Sequence, residues 1–304
     1  MSIPSHALNT YNIATALNER HTLARNPVVI EALSNDKTSE VLEFLARRPL
    51  HTVIMTGMIR DNGVVSEFNR GNFYACRNDK KQIEGVGLIG HLTTLEAETE
   101  RAKKALALKA KEYKQTHLMI GEQHHLEKFW QYYSNGGQPM RASCQELLYA
   151  LETAQPRGSS PVRRATPADL DLILPVHAKM AEEESGVNPM IADAEGFRRR
   201  CARRIEMGRT WVAIENNQLN FKTDIMVDSN QLSYIEAVYV HPSKRGRGYG
   251  SQCLSHLCSL LLESTKSICL LVSEFNARAR AFYEKIGFDF KCLYQNIFLQ
   301  KALN

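Results

Sequence analysis

The sequence lacks long apolar runs and has no N-terminal export signal. No run of apolar residues approaches the roughly 18 that a membrane-spanning helix needs. The first ten residues, M-S-I-P-S-H-A-L-N-T, do not have the basic region followed by an apolar core that marks a secretory signal. We therefore expect neither a membrane segment nor export.

Closely spaced cysteine pairs are also missing. The seven cysteines are scattered and form no C-x-x-C pair. An odd, unpatterned set in a chain without an export signal predicts reduced, buried thiols in a cytoplasmic protein. The ten histidines include His124 and His125, but no cysteine or acidic residue lies at a recognised metal-ligand spacing from them. We expect no metal site.

The bulk composition is that of a soluble globular protein. Of the 304 residues, 43% are hydrophobic and 23% are charged, which gives ample apolar material for a core. This length favours two domains of ordinary size. The net charge of +5 suits a polyanionic ligand but is too small to indicate nucleic acid by itself.

One segment has the composition of a linker between domains. Residues 152–161, E-T-A-Q-P-R-G-S-S-P, combine proline, glycine and serine and have almost no apolar content. This segment predicts an N-terminal domain at 1–153 and a C-terminal domain at 160–304.

The C-terminal part shows a regular succession of strand and helix patterns. Thr166, Pro167 and Asp169 have the spacing of a capping box at the start of a helix, which follows the short strand V-R-R-A. A second helix and three strand-like runs come next, the last being L-S-Y-I-E-A-V-Y-V. A glycine-rich loop then leads into a helix with one apolar face, a buried strand S-I-C-L-L-V, and a helix that ends at Gly287. Strands in series followed by helical crossovers predict an α/β (α+β) fold with a mixed sheet.

The N-terminal part repeats the closing portion of this plan more weakly. Q-I-E-G-V-G-L-I-G and H-L-M-I-G have strand patterns, and A-K-K-A-L-A-L-K-A-K-E-Y and E-K-F-W-Q-Y-Y have helix patterns. We align H-L-M-I-G and the helix after it with S-I-C-L-L-V and the helix that ends at Gly287. This alignment places His124 opposite Asn276 and Gln131 opposite Tyr283. No glycine loop lies at the matching strand-to-helix junction. If the chain is a duplication, the first copy has lost its chemistry.

The glycine loop is the segment most informative about function. Residues 238–250 read V-Y-V-H-P-S-K-R-G-R-G-Y-G, at the point where a strand ends and a helix begins. A helix N-terminus attracts phosphate, and glycines let the backbone approach a ligand. The spacing G-x-G-x-G fits neither a P-loop nor a dinucleotide fingerprint. An exposed basic turn without a ligand is the structural alternative for this loop taken alone.

The loop resembles the acetyl-CoA-binding motif of the GNAT superfamily of N-acetyltransferases. The pattern R-x-x-G-x-G after a strand ending V-x-V is matched by Val238, Val240, Arg245, Gly248 and Gly250. A second family pattern, N-x-x-A-x-x-x-Y-x-x-x-G-F, begins at Asn276 and ends at Phe288, with Arg280 where a small residue is common. The resemblance covers roughly residues 161–300. The N-terminal half looks like the degenerate GNAT-like domain of tandem family members.

The resemblance implies a GNAT-like mixed, mostly antiparallel sheet flanked by helices, in two tandem copies. It also implies acetyl-CoA as the co-substrate. The strand edge at Val238, Tyr239 and Val240 would bind the pantetheine arm, in the gap between this strand and S-I-C-L-L-V. The pyrophosphate would bind to the loop and the start of its helix, and Asn276 would bind the pantetheine. The implied pyrophosphate-binding residues are Arg245, Gly246, Arg247, Gly248, Tyr249, Gly250 and Ser251.

Two residues are candidates for acid and base in an acetyl transfer. Tyr283 matches the family tyrosine and would donate a proton to the departing thiolate; the alternative is an ordinary core aromatic. Period-2 alternation places Tyr234, Glu236, Val238 and Val240 on one face of the strand. Glu236 would then be aimed as a base or a water-mediated base, and its alternative role is a salt-bridged surface glutamate.

The acceptor is less well defined by the sequence. The run Glu182-Glu183-Glu184-Ser185-Gly186 lies in the loop region that contacts acceptors in the resembled family and could attract a cationic amine. The helix F-R-R-R-C-A-R-R carries five arginines without interleaved aromatics. A solvated surface is the favoured interpretation of both runs, and no nucleic-acid partner is expected.

We therefore predict an acetyl-CoA-dependent N-acetyltransferase that acts on a primary amine of an unidentified acceptor. Its C-terminal domain would be active and its N-terminal domain would complete the acceptor cleft or stabilise the fold. The alternative is a non-catalytic acyl-CoA sensor or scaffold that keeps the pyrophosphate loop but has no acceptor site.

Overall fold

The computed structural model describes residues 28–154 and 158–300; residues 1–27, including the N-terminal stretch examined above, part of the predicted linker and the last four residues lie outside it. The elements of the N-terminal half are β1 (Val29–Ala32), α1 (Thr38–Leu45), α2 (Val53–Asn62), β2 (Gly71–Arg77), β3 (Ile83–Gly90), β4 (Leu92–Ala97), α3 (Glu100–Ala110), β5 (Leu118–Glu122), α4 (Gln123–Tyr133) and β6 (Met140–Leu151).

The elements after the linker are β7 (Arg163–Arg164), α5 (Leu170–Ser185), α6 (Pro189–Ala192), α7 (Ala194–Glu206), β8 (Thr210–Glu215), β9 (Gln218–Val227), β10 (Ser233–Val240), α8 (Tyr249–Leu262), β11 (Ile268–Ser273), α9 (Ala277–Ile286) and β12 (Asp289–Leu299). Short 3₁₀ turns at Pro167–Asp169 and Pro242–Lys244 precede α5 and the glycine loop. Among the described residues, no helix has the length and apolar character to cross a membrane.

The described chain divides into two compact units, and the second takes residues from both sides of the predicted linker. Residues 28–47, 62–143 and 297–300 belong to the first unit. The second contains residues 48–61 and the described part of 144–296. It therefore includes most of α2 and of β6, which the sequence places in the N-terminal half.

In the first unit, strands β1 to β5 follow one another in chain order across the sheet. Neighbours are antiparallel except β4 and β5, which run parallel through the crossover helix α3. Leu106 on α3 and Phe129 on α4 are fully buried in the core of this unit, together with Met119 of β5. The weak strand and helix patterns of the N-terminal half are thus real elements.

The second unit has a mixed sheet with the order β12-β6-β11-β10-β9-β8-β7. The pair β10–β11 is parallel, whereas β11–β6, β10–β9, β9–β8 and β8–β7 are antiparallel. Helix α8 buries Leu254, Leu257 and Cys258 against this sheet, as its apolar periodicity predicts. The predicted mixed, mostly antiparallel sheet flanked by helices is confirmed.

Local signals at the helix ends are also confirmed. Thr166 and Asp169 form the predicted capping box, and Pro167 is the first residue of the turn that leads into α5. Gly287 ends α9 with φ of +113°, a backbone conformation that glycine adopts without strain.

Candidate active site

A cavity of about 870 Å³ lies in the second unit, within the size range of small-molecule and cofactor sites. Its walls come from α5, the end of β10, the glycine loop, the first turn of α8 and one face of α9. Most of the residues predicted to bind acetyl-CoA line it. These are Val238, Tyr239, Val240, Arg245, Gly246, Gly248, Gly250, Ser251 and Asn276, whereas Arg247 and Tyr249 do not line it. The predicted acid, Tyr283, also lines it.

The glycines of the loop are required by its backbone. Gly246 and Gly248 have φ of +75° and +81°, in the left-handed region that favours glycine, and Gly248 is the N-cap of α8. Gly250 is required for a different reason, because an added Cβ there would lie only 2.7 Å from Cγ2 of Val240. The loop thus allows α8 to begin close against the end of β10.

The start of α8 presents unpaired amides to the cavity wall. Its first intrahelical bond runs from the amide of Gln252 to the carbonyl of Gly248, at 3.0 Å. The amides of Tyr249, Gly250 and Ser251 therefore have no partner within the helix. Together with the positive end of the helix dipole, they form a site suited to an anion such as phosphate.

Basic side chains surround this helix start. Lys244 forms a 3.1 Å ion pair with Glu215, and the guanidinium of Arg245 donates from Nε to the carbonyl of Val240 at 2.8 Å. Arg247 is exposed on the same loop. Further from the loop, Lys179, Arg278 and Lys285 line the cavity. These three were not among the predicted binding residues, although Arg278 and Lys285 have the seven-residue spacing of one helix face.

The edge of β10 is open where it lines the cavity. This strand is registered with β11 only at Ser233–Ile268 and Tyr234–Cys269. Beyond these two pairs the strands diverge, so residues 238–240 are not registered with β11. The predicted gap between the two strands is therefore present, and Val238, Tyr239 and Val240 lie along it.

A β-bulge in β10 changes the predicted orientation of Glu236. Ala237 has φ of +52°, and the register with β9 shifts between Glu236 and Tyr239. Val238 and Val240 pack on the core under α8, whereas Glu236 is opposite Asp224 on the other face of the sheet. The predicted alternation, with Glu236 on the face of Val238 and Val240, is wrong because the extra residue reverses the faces. Glu236 is not among the residues that line the cavity.

Tyr283 lies on α9 with its side chain in the cavity wall and only 9% of the residue exposed. Its ring packs edge-on against Phe282 and Phe288. Burial raises the pKa of the Tyr283 phenol well above its ordinary value. The phenol is therefore protonated near neutral pH and can donate a hydrogen bond or a proton.

Asn276 occupies the N-cap of α9. Its Oδ1 accepts a 3.0 Å hydrogen bond from the amide of Ala279. Because the oxygen is used by the helix, the side-chain NH₂ group is what Asn276 can offer to a ligand in the cavity.

A buried ion cluster lies on the face of the sheet that carries Glu236. The Nζ of Lys222 is 2.5 Å from a carboxylate oxygen of Asp224 and 3.0 Å from Nδ1 of His177, and Arg204 donates to Asp224 at 2.7 Å. Burial opposes ionisation of Asp224, but the cations of Lys222 and Arg204 outweigh it and hold its pKa below the usual range. Burial, reinforced by the Lys222 cation, lowers the pKa of His177 to about 3.

The pKa of His177 makes stability depend on pH. Its neutral form is favoured in the folded state, so the stabilisation is complete above the unfolded pKa of about 6.5 and is lost as the pH falls toward 3. At pH 5 the loss should reach about 2 kcal/mol. We expect the melting temperature to drop by several degrees between pH 7 and pH 5, and His177→Gln to flatten this slope. The exposed His124→Gln is the control; equal slopes for wild type and His177→Gln would contradict the prediction.

The matching position of the first unit is occupied by side chains. Helix α3 is capped by Thr99, whose Oγ1 accepts from the amide of Ala102. The buried carboxylate of Glu84 accepts from Thr99 at 3.1 Å and from Arg101 at 2.8 and 2.7 Å. The carboxylate of Glu84 thus lies beside the start of α3 and pairs with Arg101. Because a carboxylate repels phosphate, this arrangement fits the prediction that the first copy has no phosphate site.

The two charged runs differ in their relation to the cavity. Glu183 of the acidic run lines the cavity. Its carboxylate is 3.9 Å from the Nζ of Lys179, one helical turn earlier. On α7, Arg198, Arg199 and Arg200 form surface ion pairs with Asp171, Glu195 and Asp193, respectively. These three pairs fit the interpretation of a solvated helix surface. Arg204 of the same run departs from it, because its guanidinium pairs with the buried Asp224.

The segment that forms most of the cavity wall matches a known family. The family model for the acetyltransferase (GNAT) domain matches residues 206–289, which contain the glycine loop and Tyr283. No curated protein matches the sequence.

Solved structures are similar over nearly the whole chain. A GNAT-family acetyltransferase from Colwellia psychrerythraea has a TM-score of 0.58 and 11% identity, with 90% of this chain and all of that chain covered. A GCN5-related N-acetyltransferase from Sphaerobacter thermophilus has a TM-score of 0.59 and 12% identity, covering 89% and 95%. A tandem GNAT protein from the clavulanic acid biosynthesis pathway has a TM-score of 0.56 and 11% identity, covering 91% and 99%.

Identities this low show the fold alone, and the third similarity is consistent with two tandem copies of that fold. The family match confirms, for residues 206–289, the GNAT resemblance that the sequence motifs carry, and the fold is consistent with it. Residues 206–289 match an acetyltransferase (GNAT) domain.

Proposed function

We propose that the second unit transfers an acetyl group from acetyl-CoA directly to a primary amine. The observation that supports this proposal is one continuous cavity, which joins the free amides of α8, the open edge of β10 and the protonated phenol of Tyr283. These three features match the three parts of the co-substrate: a diphosphate, an extended amide-bearing arm and a thioester.

The phosphates would bind at the loop. Residues Arg245 to Ser251 supply unpaired backbone amides and charge-assisted hydrogen bonds from Arg245 and Arg247. Lys244 is held at the loop by its ion pair with Glu215. Arg278 and Lys285 add positive charge on the opposite wall of the cavity.

The pantetheine arm would run along β10 as an added strand does. The backbone of Val238, Tyr239 and Val240 has no registered partner on its β11 side, so its N–H and C=O groups can pair with the amides of the arm. The NH₂ group of Asn276 would donate to the same arm from the α9 side. This placement brings the thioester toward Tyr283.

The transfer needs a base and an acid. A neutral amine attacks the thioester carbonyl, the tetrahedral intermediate collapses, and the C–S bond breaks. Tyr283 would give its proton to the departing thiolate and regain one from solvent. Glu236 is the proposed base and would accept the proton of the amine through water. A water is needed because Glu236 lies one residue before the bulge and does not line the cavity.

An acceptor screen tests the proposal. The purified full chain is incubated with acetyl-CoA and a panel of amines: a peptide with a free N-terminus, a lysine peptide, a polyamine, an aminoglycoside and amino acids. Free thiol is read as CoA is released. Thiol release that depends on an amine, with the acetylated amine found by mass spectrometry, supports transfer. Tight acetyl-CoA binding without release for any amine would instead support a non-catalytic acyl-CoA sensor.

Tyr283→Phe should slow turnover about 10- to 100-fold, within the range for loss of a general acid. Acetyl-CoA affinity should stay within about twofold, because the ring and its contacts with Phe282 and Phe288 are kept. Turnover is measured as amine-dependent thiol release, and affinity by calorimetry. Tyr149→Phe is the matched control. It removes a hydroxyl that lies outside the cavity and donates a hydrogen bond to Glu284, the neighbour of Tyr283 on α9. Wild-type turnover in Tyr283→Phe would remove this residue from the acid role.

A further inference from the structure

The β-bulge in β10 determines on which face of the sheet the side chains around it lie. Without the extra residue, regular alternation would place Glu236, Val238 and Val240 on one face. With it, Val238 and Val240 pack on the core, and Glu236 lies on the other face. The shape of the proposed pantetheine site therefore depends on this bulge being held.

One residue of β9 faces the whole bulge. The register passes from Glu236–Asp224 directly to Tyr239–Lys222, so Ala237 and Val238 together are opposite Thr223. Thr223 is fully buried, and its Oγ1 donates a 2.9 Å hydrogen bond to the carbonyl of Glu236, where the bulge begins. A side-chain hydroxyl thus bonds the backbone at the point where the regular ladder is interrupted.

The neighbours of Thr223 fix its position along β9. Lys222 and Asp224 are both about 1% exposed and belong to the buried ion cluster with Arg204 and His177. Next to Thr223 on β8 is Trp211, which packs on the core of the unit. Thr223 therefore acts from a rigid segment, whereas Ala237 is held in a strained backbone conformation with φ of +52°.

We infer that Thr223 is a positioning residue for the co-substrate: its hydroxyl holds the bulge that presents Val238, Tyr239 and Val240 to the pantetheine arm. This inference rests on the proposed function, because it assigns the arm to that edge. Thr223 itself does not line the cavity. It acts through the strand that does.

The test separates the arm from the nucleotide. The probes are acetyl-CoA and adenosine 3′,5′-bisphosphate, which has the nucleotide but no pantetheine, and affinities are measured by calorimetry well below the melting temperature. Thr223→Val keeps the shape and removes the hydroxyl. It should weaken acetyl-CoA binding about tenfold, the effect of one lost hydrogen-bond contact, and leave the bisphosphate affinity within about twofold. Thr223→Ser should restore acetyl-CoA binding.

Thr52→Val is the matched control. Thr52 is a buried threonine of the second unit whose hydroxyl donates to the backbone carbonyl of Arg48 at 3.0 Å, away from the bulge and the cavity. It should lower the melting temperature by a similar amount without changing either affinity. If Thr223→Val does not fold, Thr223→Ala replaces it, and amide exchange of peptides covering residues 234–240 provides a second measurement, with faster exchange expected.

Three results would overturn the inference. Unchanged acetyl-CoA affinity in a folded Thr223→Val would show that the hydroxyl does not hold the binding edge. Equal losses for both probes would show a general effect on the unit. A wild-type chain that binds neither probe would overturn the proposed function, and this inference with it, so that failure is distinguishable from failure of Thr223 alone.

Discussion

Gly248→Val should weaken acetyl-CoA binding by at least two orders of magnitude. Gly248 has φ of +81° at the N-cap of α8, a conformation that costs an L-residue about 1–2 kcal/mol and a β-branched residue more. No atom lies within 4 Å of the position where its Cβ would be, so the chain itself does not clash with the added side chain. The effect therefore comes from two sources: a strained helix start, and a side chain in the space that the diphosphate would occupy.

Calorimetry with acetyl-CoA measures this effect, and Gly136→Val is the control. Gly136 has a similar φ of +87° and equally open surroundings, but it lies in the first unit. Both variants should lose comparable stability, and only Gly248→Val should lose the ligand. Wild-type affinity in a folded Gly248→Val would refute the assignment of the phosphate site to this loop.

Most elements around the cavity could be predicted from the sequence because their signals are local. The glycine spacing, the apolar face of α8 and the capping box at Thr166 each depend on residues a few positions apart. The motif ending at Phe288 likewise placed Asn276 and Tyr283 in one wall of the cavity, as the structure shows.

The orientation of Glu236 could not be predicted in this way. The bulge at Ala237 depends on pairing with β9, in which Thr223 faces two residues, and an alanine at positive φ carries no sequence signal. The contribution of Lys179 to the cavity wall was missed for a related reason. It comes from the packing of α5 on β9, where His177 contacts Lys222, and these elements are distant in sequence.

That β6 belongs to the second unit could also not be predicted from the sequence. The linker composition at 152–161 marks a change in the chain, but the strand before it pairs with β11 through six registered residues, from Leu151–Ile268 to Glu146–Ser273. Strand pairing across the linker depends on side chains more than a hundred positions apart. The division at 1–153 and 160–304 remains a prediction about the two copies, and it differs from the division into compact units.

A fragment of residues 160–304 should therefore fail to fold on its own. It lacks β6, whose last four residues, Leu148 to Leu151, are each no more than 2% exposed. Burying such side chains stabilises a protein by about 1.5–3 kcal/mol for each large apolar residue. The sum approaches the 5–15 kcal/mol of a whole domain. The fragment also lacks α2, where Gly57 packs on Val227 and Asp61 forms an ion pair with Arg209.

We expect this fragment to show no cooperative thermal transition and no acetyl-CoA binding. The control is the full chain cut after folding at a protease site engineered into residues 153–158. Both pieces should stay together on gel filtration, because β6 stays paired with β11, and acetyl-CoA affinity should stay within about twofold. The two experiments separate loss of the strand from loss of chain continuity. Cooperative unfolding and acetyl-CoA binding by residues 160–304 alone would show that β6 is dispensable for the second unit.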